Sequence, residues 1–155
     1  MRNCFIGFLA ALVVTNAMSA AANDAKEQAI KKERKKYAGT WRATSLEVDG
    51  NKASEDDARK ITVVNREDGT WIIQVDGKEI HKGTSAIDPT KKPKTIDFIP
   101  DDGPEKGKTF LGIYQIDENT RKLCFAPSGK DRPTEFSSNP GSGHFLVTFE
   151  RVKPE

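Results

Sequence analysis

From Gly39 to the end of the chain, short apolar or alternating runs recur at roughly 8–12-residue spacing, separated by clusters of Gly, Pro, Asn and Asp; that rhythm is the pattern of a β-sandwich or barrel. The runs are Thr40 to Val48, Ile61 to Val64, Thr70 to Val75, Glu79 to Ile87, Thr95 to Ile99, Thr109 to Ile116, Lys122 to Ala126 and His144 to Val152. No long helical pattern lies between them, which argues against parallel strands joined by crossover helices. Eight successive strands with mostly short connections predict an all-β fold, an eight-stranded antiparallel up-and-down barrel. Closure removes the exposed edges that would otherwise recruit other chains. At this strand number the interior either fills with side chains or holds one small ligand.

Local signals refine the outline. Asp76-Gly77 between two alternating runs marks a two-residue hairpin, because the turn it favours needs positive φ at both central positions. Trp71, Ile73 and Val75 then share one face, with Val75 opposite Lys78 and Ile73 opposite Ile80, extending an apolar stripe across both strands. Phe110, Gly112 and Tyr114 share a side of another strand, and Ile96 and Phe98 of a third. Ser54, with Asp57 three residues later, caps a single helical turn. The segments Pro100 to Gly107 and Pro127 to Gly143 read as loops.

Upstream of the barrel the pattern changes. Arg2, the apolar run Phe5 to Val14 and the small residues Ala17 to Ala22 have the layout of a secretory leader, with cleavage expected after one of Ala20 to Ala22. The apolar run is shorter than the roughly 20 residues that span a bilayer, so no membrane span is expected after cleavage. The expected organisation is a leader over 1–22, a charged helix or linker over 23–36 and a barrel domain over 37–155, in an exported chain, periplasmic or extracellular. The segment 24–36 is rich in good helix formers, with only Ala25, Ala29 and Ile30 to bury. Its basic run, Lys31 to Lys36 interrupted by Glu33, reads as a solvated helix face.

Charge narrows the partners. Twenty-five Lys and Arg against 23 Asp and Glu leave the 155-residue chain at +2, falling to +1 once Arg2 departs with the leader. Near-neutral, interspersed charge argues against a nucleic-acid or membrane-surface role. Cleavage also removes Cys4, leaving Cys124 without an internal disulfide partner in an apolar run, where a small buried hydrophobe is expected.

Gly39-Thr40-Trp41 at the first strand resembles the G-x-W signature of lipocalin-like barrels. The resemblance implies that Trp41 plugs the closed end with Arg151 of the last strand lying across its ring. The wider string is similar to a family of exported, lipocalin-like (calycin-type) proteins of unknown function described from planctomycete bacteria. The matching pieces include Val48-Asp49-Gly50, Lys92 to Asp97, Gly112-Ile113-Tyr114, Leu123-Cys124, Arg132 to Phe136 and Gly141-Ser142-Gly143, and they cover nearly all of 37–151. The resemblance implies the barrel and carries no activity. The classical lipocalin disulfides and central Thr-Asp-Tyr motif have no counterpart here.

No catalytic constellation stands out. His81, His144 and Cys124 lie far apart in sequence, the acidic loop Asp101-Asp102-Gly103 with Glu105 lacks calcium-loop spacing, and Ser142 lacks the nucleophile-elbow pattern. No cofactor, metal site or catalytic residue is expected. The expected function is a non-enzymatic, monomeric module that holds a small apolar or amphipathic ligand. Trp71, Phe110, Tyr114, Arg132 and Phe136 are the candidate ligand contacts, and Gly39, Trp41 and Arg151 structural residues. Two rivals are a side-chain-filled barrel that binds another exported protein, and an enzyme with its site in the barrel mouth.

Overall fold

The computed structural model describes residues 14–154. The start of the expected leader, including Cys4, lies outside the described residues. The elements are α1 (Val14–Tyr37), β1 (Gly39–Val48), β2 (Asn51–Lys52), α2 (Glu55–Arg59), β3 (Ile61–Asn65), β4 (Thr70–Val75), β5 (Lys78–Asp88), β6 (Lys94–Pro100), β7 (Phe110–Ile116), β8 (Thr120–Phe125) and β9 (Phe145–Arg151). Every strand pairs antiparallel with its neighbour, and β1 pairs with both β3 and β9. Setting aside the short β2 hairpin arm on β1, eight strands thus close an up-and-down barrel. Ser54 caps α2 through its side chain, accepting from the Asp57 amide.

The Asp76-Gly77 turn forms as its sequence requires, with φ of 51° and 77° and Val75 opposite Lys78. The next pairing departs from simple alternation. A bulge shifts the register after Ile73, so Ile73 faces His81 rather than Ile80. Ile80 is left 46% exposed, and His81 takes the inward position.

One end of the barrel is closed by α1. Arg34 donates to the Ser85 hydroxyl at 3.0 Å and to the Ser85 carbonyl. Lys26 pairs with Asp88 at 2.8 Å, Glu33 with Lys94 at 2.6 Å, and Lys36 donates to the Ile116 carbonyl at 3.2 Å. Ile30 packs on the core. The basic run read as solvated therefore docks through three of its side chains, Glu33, Arg34 and Lys36. Polar contacts of this kind leave no apolar stripe for a periodicity reading to find. None of the described helices is long and apolar enough to cross a membrane.

The middle of the loop 126–144 straps the outside of the barrel. Beneath it Ile113 and Cys124 are fully buried although they point away from the lumen. Cys124 donates weakly to the Ser137 carbonyl at 3.4 Å, and burial pushes its thiol pKa up, as suits a packing residue.

Candidate functional site

The barrel holds a cavity of about 810 Å³ that opens to solvent. Its wall follows from strand parity: on β6 Ile96 and Phe98, on β7 Phe110, on β8 Arg121, Leu123 and Phe125, and on β9 Val147 and Phe149 all face inward. Phe98 is the hub of the aromatic wall. It stacks on Phe110 at 4.5 Å between centroids and meets Trp71 and Phe125 edge-on at 5.7 and 4.6 Å. Gly112 creates room for this wall, since a Cβ there would stand 2.3 Å from a Phe125 ring carbon.

The base is a stack of aromatic rings and cations. Tyr37, the last residue of α1, meets Tyr114 edge-on at 5.6 Å, and its carbonyl accepts from the Trp41 indole at 3.0 Å. Arg151 lies 4.2 Å over the Trp41 ring from outside and donates to the carbonyls of Lys36, Ala38 and Glu118. Gly39 sits against it at φ +124°, and a Cβ there would reach within 2.8 Å of Arg151 Nη1.

A second arginine, Arg121, enters from inside. It is 1% exposed and its guanidinium carbon lies 4.5–4.7 Å from the rings of Tyr37, Trp41 and Phe149. Its Nη1 donates to Asn65 Oδ1 at 2.6 Å, while Nε and Nη2 have no partner. Among the described residues no carboxylate is paired with it. Burial lowers its pKa to about 10, so it remains charged at neutral pH.

The opposite end of the cavity is rimmed by polar groups. His81 Nδ1 lies 3.0 Å from Asp102 Oδ1, tying β5 to the loop after β6, and this bond holds the Asp102 carboxyl below its ordinary range. Glu105 and Lys108 pair at 3.0 Å in the same loop and also line the cavity. Among the described residues no cluster of His, Cys, Asp or Glu could hold a metal.

Of the five expected contacts, Trp71 and Phe110 line the cavity. The other three do not. Tyr114 points inward but lies below Tyr37, donating to Glu33 at 3.2 Å; burial and the Glu33 carboxylate hold its phenol well above its ordinary pKa. Arg132 lies on the outer strap, 2.6 Å from Asp97 Oδ1 as an ion pair without hydrogen-bond alignment, and its Nη1 donates to the Gly112 and Ile96 carbonyls at 2.7 and 3.2 Å. Phe136 lies on the same strap, 5.9 Å from Lys122 Nζ. The part of the loop that carries both residues folds over the outer wall, where their side chains fasten it, while Pro127, Ser128 and Gly143 at the loop's ends line the cavity. Sequence reasoning missed Arg121, Asn65, His81 and Phe98 as cavity residues. Comparison with protein-family models, curated proteins and solved structures found no match to this chain.

Proposed function

We propose that this chain is an exported, non-enzymatic binding module that holds a small apolar or amphipathic ligand inside its barrel, as a member of the lipocalin-like exported family its sequence resembles. The observation that carries this reading is the cavity of about 810 Å³ with its wall of Trp71, Phe98, Phe110 and Phe125. Ligand pockets span about 300–1,000 Å³ and combine apolar walls with a few fixed polar groups. The volume favours ligand binding over the rival of a side-chain-filled barrel. Export fits the way α1 docks: its ion pairs and hydrogen bonds to the barrel begin at Lys26, so cleavage after Ala20 to Ala22 would leave them in place.

The test is native mass spectrometry of protein expressed with its leader and recovered from the export compartment, compared with the same sample after denaturation. A reproducible small-molecule excess that vanishes on denaturation is the expected result. A bare polypeptide mass that also fails to take up added alkyl ligands would overturn the reading.

A further inference from the structure

We propose that Arg121 is the anchor for a carboxylate, and that the ligand of the cavity is an alkyl or similarly apolar monocarboxylic acid bound head-down. The inference rests on the binding reading above and adds the chemistry of the head group.

Arg121 projects from the inward face of β8, in line with Leu123 and Phe125, to the base of the cavity. A guanidinium has five N–H donors lying in its plane. Aromatic rings attract its face and leave those donors unused. Here the rings of Tyr37, Trp41 and Phe149 take up the faces and Asn65 takes one donor of Nη1. The unpartnered nitrogens are Nε and Nη2, which form the side-on edge of the fork and match the two oxygens of a carboxylate in a bidentate pair. A fully buried cation with two unused nitrogens and no protein counter-ion is unfavourable in the free protein. Both nitrogens are covered by protein atoms in the ligand-free barrel, so an anion entering from the cavity would have to move a flanking side chain to reach them, and it would then supply both the charge and the acceptors.

One unpaired cation at the base suits one negative charge. The wall above it dictates the rest of the ligand. From Arg121 to Phe125 the strand rises roughly 13 Å at about 3.3 Å per residue, and the inward side chains of β8 above Arg121, Leu123 and Phe125, are apolar. The polar rim of His81, Asp102, Glu105 and Lys108 lies at the far end, leaving a medium-length chain between charged base and wet mouth.

The experiment is calorimetric titration of the full chain's exported product, stripped of co-purified lipid, with dodecanoate and with dodecanol. The two probes share a tail and differ in head-group charge. Dodecanoate is expected to bind at least about tenfold tighter than dodecanol, the worth of one charged hydrogen-bonded contact, and Arg121→Met should abolish that preference. Equal binding of both probes to the wild-type protein would overturn the carboxylate anchor and leave the cavity reading standing. Binding of neither would overturn both. An acid preference that survives intact in Arg121→Met would overturn the assignment to this residue. The wild-type comparison decides the question even if the variant does not fold.

Discussion

Replacing Arg121 with methionine should leave the stability of the ligand-free protein close to that of the wild type, and the reason can be worked through contact by contact. The folded state carries two unpartnered donor nitrogens on a buried charge. Each unsatisfied buried polar group costs about 1–3 kcal/mol, so the substitution relieves roughly 2–6 kcal/mol. Against this stand the three ring contacts at 4.5–4.7 Å and the hydrogen bond to Asn65 at 2.6 Å. Two occupied guanidinium faces are together worth about 2–4 kcal/mol when desolvated. Leaving Asn65 Oδ1 without its donor costs about 1–3 kcal/mol more. The unbranched methionine stem retains most of the apolar packing of the arginine chain. Taken at their midpoints, about 4 kcal/mol relieved and about 5 kcal/mol lost, the two sides nearly cancel.

That expectation separates a residue kept for a ligand from one kept for the fold. Removing one partner of a satisfied buried ion pair costs about 3–5 kcal/mol, and emptying a large core position costs a similar amount. Urea unfolding followed by tryptophan fluorescence reads the difference, since Trp41 stacks on Arg121 and Trp71 lies in the cavity wall. An Arg121→Met variant that loses more than about 4 kcal/mol with an unchanged m-value would refute the reasoning, because Arg121 would then be a structural plug whose partners already satisfy it.

Other outcomes follow from the same geometry. Gly112→Ala places a Cβ 2.3 Å from Phe125 and should destabilise by about 1–3 kcal/mol while pushing that ring into the cavity; an unchanged urea midpoint would contradict the contact. Deleting residues 23–36 removes Ile30 and the polar docking contacts of α1, so thermal unfolding should show a loss of about 2–4 kcal/mol, and an unaltered Tm would mean the helix contributes nothing to the closed end. Asp88 is held down to about 2 by hydrogen bonds from Lys26 and Thr90, so its contribution is fully present above the unfolded carboxyl pKa near 3.9 and is lost as pH falls through about 2. Asp88→Asn should therefore flatten the acid limb of a stability–pH profile by about 1 kcal/mol or less, because Lys26 is half exposed; a parallel acid limb would contradict the pairing.

Much of the barrel was legible because a half-buried strand writes its geometry as a period of two. The run Thr70 to Val75 coincides with β4, and most other predicted strands begin and end within a residue or two of the observed ones. Turn chemistry was equally readable at Asp76-Gly77, where both residues adopt the left-handed backbone the turn demands. The docking of α1 was not readable, since Glu33, Arg34 and Lys36 engage the barrel through hydrogen bonds that leave no imprint on hydrophobic spacing. The strap was misread for a related reason: a long loop with an arginine and an aromatic has the composition of a binding loop whichever surface it covers.

The site itself failed at two specific steps, and each shows where alternation stops being a guide. At Ile80 a bulge adds one residue to β5, so strict counting assigns the lumen to an isoleucine and the solvent to a histidine, the reverse of what the structure has. Alternation on a strand with a bulge holds only up to the bulge. At β8 the error was one of boundary. A strand beginning at Lys122 excludes Arg121, whereas the observed strand begins at Thr120 and pairs Arg121 with Ile116 and Phe149. Had the run been extended by two residues, the parity of Leu123 and Phe125 would have put Arg121 on the core-facing side. An arginine at a core parity position is a signal, because burying a charge is unfavourable unless something pairs with it. Neither neighbouring inward position, Ile116 nor Phe149, offers a carboxylate. The sequence thus held the main clue to a charged base in the cavity, and it lay one residue outside the strand as drawn.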